Sequence, residues 1–380
     1  MSSFYTSVER YGNTILWRGY ENGKSFSRKV KYDPTLYLPT KDEDAQYKSL
    51  VGNTPLKPKK FGSMSMAKDF VDQYKEVSGI QIYGSSNYVA QFIQEKYPSD
   101  IEFNMADINI CSYDIEYDTT DGYADINVAD KPITSISYKS SKSEAYHLLT
   151  LKDYDKSLTE TGISPNNIKH EKFDTEPDLL RKFIQIWSSD YPDIITGWNV
   201  EYFDIMYTIT RIIRLLGQEK AKMLSPWGMI RMTSREFFGK QQSTYQISGI
   251  SVIDYMVAFK KFGFKYGPQE TYKLDHIAYV VLGEKKIDYS EYGSLAQLYI
   301  ENPQKYLDYS LKDTYLIQRF EDETSLLSLV LTVAYGGGVN FNDAFGTVGI
   351  WETTLYRRLI KEGKVPPIKG SPGRRLGELV

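Results

Sequence analysis

The chain has 380 residues, of which 41% are hydrophobic and 25% charged, and its formal net charge is −3. This length predicts two domains, and the composition excludes a wholly disordered chain and a fibre. No apolar run approaches the roughly 18 residues of a membrane helix. The first ten residues lack the basic start and apolar block of a secretory signal.

Cysteine and histidine are too few or too scattered for common zinc sites. The single cysteine, Cys111, excludes an internal disulfide and a cysteine-based zinc cluster. The three histidines, at 147, 170 and 276, are far apart in the sequence and form no HExxH motif. Because 46 basic residues nearly balance 49 acidic ones, any nucleic-acid binding has to be local. The 32 tyrosines suit half-buried surfaces or, alternatively, stacking surfaces for bases.

The first 105 residues predict a small mixed domain. Two strand-like segments flank Asn22-Gly23, which is typical of a type I′ hairpin. A basic loop and two amphipathic helices are expected to follow, the second ending before Pro98. The strands are expected at 14–20 and 25–32, the loop at 56–60 (LKPKK), and the helices at 66–77 and 86–97.

The next region, residues 106–335, alternates strand-like and helical segments. This order predicts an α/β domain with a mixed sheet flanked by helices. The strands are expected at 108–117, 133–138, 145–151, 193–196 and 251–254. The helices are expected at 178–187 after an N-cap at Thr175, at 203–216 before Gly217, at 255–262, and from Asn302-Pro303 until Gly336–Gly338 interrupts the last of them.

Two carboxylates stand on one predicted strand. In the sequence INICSYDIEYD, Asp114 and Glu116 are two residues apart, so both side chains point to the same face. Like charges held this close repel each other unless a cation neutralises them, and oxygen ligands suit Mg²⁺ or Mn²⁺. Taken alone, the pair is weak evidence for a metal site, because Asp-x-Glu is a common sequence and a solvated strand face is the simpler explanation.

Two further segments carry candidate site residues. Asp204 follows the turn in TGWNVEYFD and falls in the first turn of a predicted helix, where an aspartate also favours the helix dipole without any other role. Tyr309 and Asp313, in YSLKD, are four residues apart and share one helix face, as many such pairs do by chance.

Together the three segments resemble a known set of motifs. An Asp-x-Glu strand, an Asp after a Gly-Trp-Asn turn and a Tyr-x3-Asp helix resemble the motifs of DEDD-type 3′–5′ exonucleases, which have an RNase H-like fold. The tyrosine indicates the subgroup found in proofreading DNA polymerases. The stretches FNMADINICSYDIEY, PDIITGWNVEYFD, SVIDYMVAFKKF and YGGGVNFNDAFGTVGIW are similar to family B DNA polymerases of T-even-type phages, especially marine cyanophages. The similarity is weakest around 40–60 and 150–170.

The resemblance implies a function and its residues. It implies a proofreading 3′–5′ exonuclease that hydrolyses single-stranded 3′ ends of DNA in the cytoplasm of an infected bacterial host. Two divalent cations, Mg²⁺ or Mn²⁺, would be bound by Asp114, Glu116, Asp204 and Asp313. Tyr309 would help to orient the attacking water. A two-metal site of this kind agrees with the chemistry of phosphodiester hydrolysis.

The resemblance also implies DNA contacts beside the motifs. Residues expected to stack on or hold the unpaired 3′ end are Phe103, Tyr117, Tyr123, Trp198, Asn199 and Phe203. Residues 229–248 correspond to a β-hairpin of the family that helps to part primer from template, and Arg231, Arg235 and Lys240 would face phosphates there. The alternatives are that the aromatic residues pack in the protein core and that the hairpin is exposed to solvent without contacting DNA.

The implied layout has three parts. They are an N-terminal domain at 1–105, the exonuclease domain at 106–335, and a return segment with a Pro/Gly-rich linker toward a palm at 336–380. The first catalytic motif of the palm is absent from this sequence, so a shortened chain or one half of a split polymerase is expected. A chain carrying the polymerase domain, and a sliding clamp through it, are then expected partners. The rival functions are RNA binding with translational repression, and a purely structural subunit of a split polymerase.

Overall fold

The computed structural model of the protein describes residues 3–74, 77, 80–237 and 240–368, without the side chains of 235–237, 240 and 241. The chain divides into two compact units, one of Met1–Phe103 with Leu331–Val380 and one of Asn104–Val330. Within the residues described, no helix has both the length and the apolar character needed to cross a membrane.

The described part of the first unit contains two small sheets. One is an antiparallel meander of β1 (Ser3–Tyr11), β2 (Thr14–Glu21) and β3 (Lys24–Lys31). The predicted hairpin is confirmed, since Asn22 and Gly23 join β2 to β3 with φ angles of 51° and 74°, as a type I′ turn requires. The other sheet has the order β15-β5-β6-β4, formed by β4 (Leu36–Pro39), β5 (Tyr47–Ser49), β6 (Pro55–Lys59) and β15 (Lys364–Val365).

The segment LKPKK is a strand, so the prediction of a loop there was wrong. It forms most of β6, and Pro58 lies opposite Tyr37 of β4. A proline lacks the N–H that a strand with two neighbours would need. On its other side β6 pairs with β5 only at Pro55 and Leu56, so Pro58 has one neighbouring strand and is tolerated.

Among the described residues, four helices belong wholly or partly to this unit: α1 (Met64–Tyr74), α2 (Tyr88–Lys96), α10 (Leu326–Gly337) and α11 (Thr347–Lys361). The helix predicted from Met66 is confirmed as α1, but its buried face was misassigned. Met64, Ala67 and Val71 are buried, whereas Met66 is 58% exposed. The aromatic residues that suggested the other face, Phe70 and Tyr74, pack on each other instead, with ring centres 4.8 Å apart.

The second unit is built on a six-stranded mixed sheet. Its strands, in the spatial order β10-β9-β8-β7-β11-β14, are β7 (Ile110–Tyr117), β8 (Ile133–Ser140), β9 (Tyr146–Thr150), β10 (Ile168–Lys172), β11 (Ile194–Gly197) and β14 (Ser251–Asp254). The pairs β7–β8 and β8–β9 are antiparallel and the other pairs are parallel. All predicted strands are present and β10 is additional. The expected mixed α/β fold, of the RNase H-like kind, is thereby confirmed.

In the described part of this unit, seven helices and a hairpin surround the sheet. They are α3 (Glu176–Ser189), α4 (Asp204–Leu216), α5 (Gln218–Lys222), α6 (Tyr255–Phe262), α7 (Leu274–Leu282), α8 (Leu295–Glu301), α9 (Pro303–Thr324) and the antiparallel pair β12 (Ile230–Phe237) and β13 (Lys240–Ile247). The predicted N-caps are confirmed, because the side chains of Thr175 and Asn302 accept hydrogen bonds from backbone N–H groups of their helices.

The last long helix is interrupted earlier than the sequence predicted. Ser325 adopts a left-handed φ of 52° and separates α9 from α10, which then continues to Gly337. The break is stabilised by Glu321, whose carboxylate accepts hydrogen bonds from the N–H groups of Leu327 (2.9 Å) and Ser328 (3.3 Å). Because a carboxylate of the preceding helix caps this break, no glycine or proline is present there to predict it from the sequence.

The two faces of β7 are packed differently. Tyr113 and Ile115 belong to an apolar core shared with α3 and α4. The opposite face is covered by α9, where hydroxyl groups of β8 bond to the helix. For example, the Ser137 hydroxyl donates to the Ser310 carbonyl over 3.0 Å. Because these side chains are small, α9 lies close to the strand face that carries the two carboxylates.

Gly197, at the end of β11, is required by a close approach of two backbone segments. A Cβ atom there would lie 2.8 Å from the Tyr113 carbonyl oxygen and 3.0 Å from Val200 Cβ. We expect Gly197→Ala to lower the free energy of unfolding by about 1–3 kcal/mol, as overpacking does. Urea unfolding of the metal-free protein measures this.

The matched control is Gly349→Ala in α11, where nothing lies within 4 Å of the added Cβ. Its expected effect is neutral or stabilising by up to about 1 kcal/mol, because alanine is the better helix former. Equal unfolding midpoints for the two variants would contradict the close approach.

Candidate active site

Three carboxylates meet where β7 faces α9. Asp114, Glu116 and Asp313 each offer an oxygen, and these oxygens all lie within 4.8 Å of one another. Asp114 and Glu116 are two residues apart on β7, so both side chains project from one face of the strand. Asp313 belongs to α9, the helix that packs on that face. Residues that are distant in sequence are thus brought together by the packing of the helix on the sheet.

Asp204, the first residue of α4, joins this group from a third element. Its Oδ1 atom accepts a hydrogen bond from the N–H of Ile115 over 3.1 Å. This N–H is available because β11 pairs with β7 only as far as Ser112. Asp204 is therefore anchored to the backbone between Asp114 and Glu116.

The site strongly disfavours four negative charges. Burial is the main cause that raises the pKa values of Asp114, Asp204 and Asp313 above the usual aspartate range. For Asp114, repulsion from the neighbouring carboxylates raises the pKa further. Burial also raises the pKa of Glu116 to about 8.

Among the described residues, two carboxylate oxygens of the site have no hydrogen-bond donor. Within the described part of the chain, no hydrogen-bond partner reaches Asp114 Oδ2 or Asp313 Oδ1, although both atoms are buried. Buried polar atoms are rarely left unsatisfied, since the loss of hydration is costly. A divalent cation would satisfy both oxygens and relieve the repulsion. A donor set of carboxylates without nitrogen or sulfur fits Mg²⁺ or Mn²⁺.

Lys286 is a site residue that the sequence analysis missed. Its Nζ atom lies 2.5 Å from Asp313 Oδ2 and donates a hydrogen bond to the Tyr309 hydroxyl. The ammonium group also lies 4.2 Å from the centre of the Tyr309 ring. Lys286 comes from the loop after α7, a segment without hydrophobic periodicity, so the sequence pattern carried no sign of its position.

Tyr309 and Asp313 share one face of α9, and the tyrosine ring is 8% exposed. Burial raises the pKa of Tyr309 above its usual value, so the side chain stays a neutral phenol at physiological pH. The edge of the Tyr289 ring packs against it at 5.4 Å. A cleft of about 810 Å³ opens here and is lined by Asp114, Trp198, Lys286, Tyr289, Tyr309 and Asp313 among others.

The aromatic residues expected to contact DNA occupy several environments. Trp198 lines the cleft and donates its indole N–H to the Tyr272 carbonyl over 3.0 Å. Tyr117 and Phe203 pack with Tyr207, the rings of Tyr117 and Phe203 being 5.8 Å apart. Asn199 is exposed in a turn at a φ of 63°. DNA contact by these residues stays a prediction.

The other expected contacts lie elsewhere. Tyr123 is 91% exposed on the loop after β7. Phe103 belongs to the first unit, where its ring lies 4.7 Å from that of Tyr335. Arg231, on the hairpin, donates to the Gln246 side chain over 2.6 Å. The side chains of Arg235 and Lys240 lie outside the described residues.

The raised pKa of Glu116 predicts a pH dependence of stability in EDTA. The folded state keeps a proton on Glu116 up to a pH of about 8, whereas the unfolded chain releases it near 4.5. Folding therefore binds a proton in this window, and the free energy of unfolding should fall as pH rises from 5 to 8. Glu116→Gln should reduce this fall and raise the melting temperature at pH 8. A wild-type melting temperature that rises over this range, unaltered by Glu116→Gln, would contradict it.

Comparison with known proteins identifies the family of this chain. The profile of the DNA polymerase family B exonuclease domain matches residues 66–277. The DNA-directed DNA polymerase of Enterobacteria phage T4 is 28% identical over 98% of this chain, and that of Escherichia phage RB69 is 27% identical over 97%. DNA polymerase II of Escherichia coli K12 is 25% identical over 52% of this chain and 25% of its own length.

The chain spans 42% of the length of each of the two phage polymerases. The region matched by the family profile exceeds half of the chain and includes three of the four site carboxylates, and the phage polymerases align through the fourth. The chain belongs to DNA polymerase family B, of which it contains the exonuclease domain.

Proposed function

We propose that this chain is the proofreading 3′–5′ exonuclease part of a phage replicative polymerase and removes nucleotides from single-stranded 3′ ends of DNA. The observation that carries the proposal is the cluster of Asp114, Glu116 and Asp313, each of which offers an oxygen within 4.8 Å of the others. Among the described residues, Asp114 Oδ2 and Asp313 Oδ1 also have no hydrogen-bond donor. A purely structural subunit would gain no stability from a cluster of carboxylates that repel one another. Membership in the family supports a nuclease that acts on DNA.

The residues proposed to hold two divalent cations are Asp114, Glu116, Asp204 and Asp313. When bound, the cations would supply an activated water and stabilise the charge that develops on the leaving 3′-oxygen. The protein contributes the rigid placement of the carboxylates. The hydrogen bond from Ile115 N–H to Asp204 and the packing of α9 on β7 keep all four from separating under their own repulsion.

Tyr309 and Lys286 are proposed to orient the reacting groups. One lone pair of the Tyr309 oxygen accepts a hydrogen bond from Lys286, which leaves the phenol proton available to an oxygen in the cleft. Because its pKa is raised, the phenol acts as a neutral donor rather than as a metal ligand. The tyrosine would thereby position the attacking water or the phosphate, and the site would be of the DEDD type with tyrosine.

The cleft beside the carboxylates supports a single-stranded substrate. Trp198 and Tyr289 offer ring surfaces next to Asp114 and Tyr309, and bases stack on such surfaces without regard to sequence. A paired end would first have to be opened, at a cost of roughly 1.4 kcal/mol for each base-pair step. Mismatched ends should therefore be preferred over paired ones.

The metal-site assignment predicts the effect of Asp114→Asn. We expect single-turnover hydrolysis of a 3′-labelled single strand in Mg²⁺ to fall by at least roughly 100-fold, because one anionic ligand is lost. The control is Asp121→Asn, an exposed aspartate on the loop after β7, which should keep wild-type activity. Hydrolysis by Asp114→Asn at more than a few per cent of the wild-type rate would sink the assignment.

Tyr309→Phe separates orientation from metal binding. The variant keeps the ring and its packing and removes only the hydroxyl group. A fall in the hydrolysis rate of about 100-fold is expected, with Mn²⁺ affinity and single-strand binding nearly unchanged. Tyr279→Phe, at a side chain that is 59% exposed on α7, is the matched control. Unchanged hydrolysis would leave Tyr309 as a packing residue only.

DNA synthesis is not assigned to these residues. We propose that the chain functions with polypeptide corresponding to the rest of the two phage polymerases, of which it spans 42%, and reaches a sliding clamp through that part. Binding assays in EDTA distinguish the rival role in translational repression. Tight, RNA-specific and metal-independent binding without hydrolysis of DNA in Mg²⁺ would favour that rival.

A further inference from the structure

The loop that carries Lys286 has little regular structure of its own. It runs from Gly283, which ends α7 at a left-handed φ of 67°, to Tyr289, and residues 284–289 are neither helix nor strand. The N–H of Lys286 donates to Asp275 Oδ1 over 2.8 Å. A long side chain on such a loop loses much conformational freedom when it is held in one place, so other contacts have to fix the loop.

Glu284 makes those contacts. Its Oε2 atom lies 2.9 Å from Lys312 Nζ and its Oε1 atom lies 2.7 Å from Arg319 Nη1. The Lys312 side chain is only 11% exposed and also donates to the Thr161 carbonyl over 3.1 Å. The hydrogen bond between Lys312 and Glu284 is thus partly sheltered from water and is stronger than an ordinary surface ion pair, whereas Arg319, at 38% exposure, adds a weaker one.

The loop and α9 each carry one acidic and one basic residue at their contact, and each residue faces one of opposite charge. Glu284 and Lys286 are two residues apart on the loop, and they meet Lys312 and Asp313, which are adjacent on α9. A shifted loop would bring Glu284 toward Asp313 and Lys286 toward Lys312, placing like charges together. The pattern therefore favours the one arrangement in which a lysine reaches Asp313.

We propose that Glu284 is a positioning residue of the active site. Its ion pairs with Lys312 and Arg319 fix the loop on α9, and the loop in turn presents Lys286 to Tyr309 and Asp313. The consequence for hydrolysis rests on the proposed exonuclease function, whereas the consequence for the loop does not. The two can be tested separately.

The first test is hydrogen exchange of the full chain in EDTA. Glu284→Gln should accelerate exchange at the amides of residues 284–289, above all at Lys286, by roughly 10-fold, since charged hydrogen bonds are lost. The matched control is Glu291→Gln, because Glu291 also forms an ion pair with a lysine of α9, Lys305. The control should leave exchange at 284–289 unchanged. Equal exchange in wild type and Glu284→Gln would overturn the proposal, whether or not the chain hydrolyses DNA.

The second test is a double-mutant cycle of single-turnover hydrolysis. Glu284→Gln alone should lower the rate by roughly 10-fold, as misplacement of a catalytic group does. In a Lys286→Ala background it should cause no further loss, because there is no lysine left to position. Losses that multiply would overturn the proposal. Arg319→Gln, which removes one ion pair at a side chain that is 38% exposed, should show the same pattern more weakly and serves if Glu284→Gln does not fold.

Discussion

Repulsion among four carboxylates, two of them buried and two half-buried, is the constraint on which the rest of this site depends. Four acidic groups converge from a strand and two helices, and burial disfavours the ionised state of each. Lys286 offsets part of this charge through its ion pair with Asp313, yet two oxygens still lack a donor in the described structure. A fold that keeps such groups together without cations stores an unfavourable interaction. Binding of divalent cations would turn the same arrangement into a stabilising one.

The sheet and α9 oppose the repulsion through ordinary packing. Hydroxyl side chains of β8 bond to Ser310 and Thr314, which holds the helix close to β7. On the other side of β7, Tyr113 and Ile115 anchor the strand in an apolar core. The turn after β11 leads to Asp204, which accepts a hydrogen bond from the Ile115 N–H, and at the start of this turn Gly197 lies too close to the Tyr113 carbonyl oxygen and Val200 to carry a side chain. Gly197 and the serines between β8 and α9 are thus explained by packing and hydrogen bonding, without any role in catalysis.

Much of the fold and of the candidate site could be predicted from the sequence because their patterns are local. The period of two on β7 placed Asp114 and Glu116 on one face, and the spacing of four placed Tyr309 and Asp313 on one helix face. Lys286 was missed because its position depends on tertiary contacts of an irregular loop. Two other features were missed because they also depend on tertiary contacts. The helix break at Ser325 is capped by a carboxylate from the preceding helix. The segment LKPKK becomes a strand because it pairs with a neighbouring strand.

Calorimetric titration of the metal-free protein with Mn²⁺ near pH 7, in buffers of different ionisation enthalpy, tests the central claim most directly. Because the pKa of Glu116 is raised to about 8 and those of its neighbours are also raised, the folded site holds protons at this pH. Cation binding to ionised carboxylates must then release protons. The account predicts an observed enthalpy that varies with the buffer, and a smaller variation for Glu116→Gln. An enthalpy independent of the buffer, or no binding at all, would contradict the account.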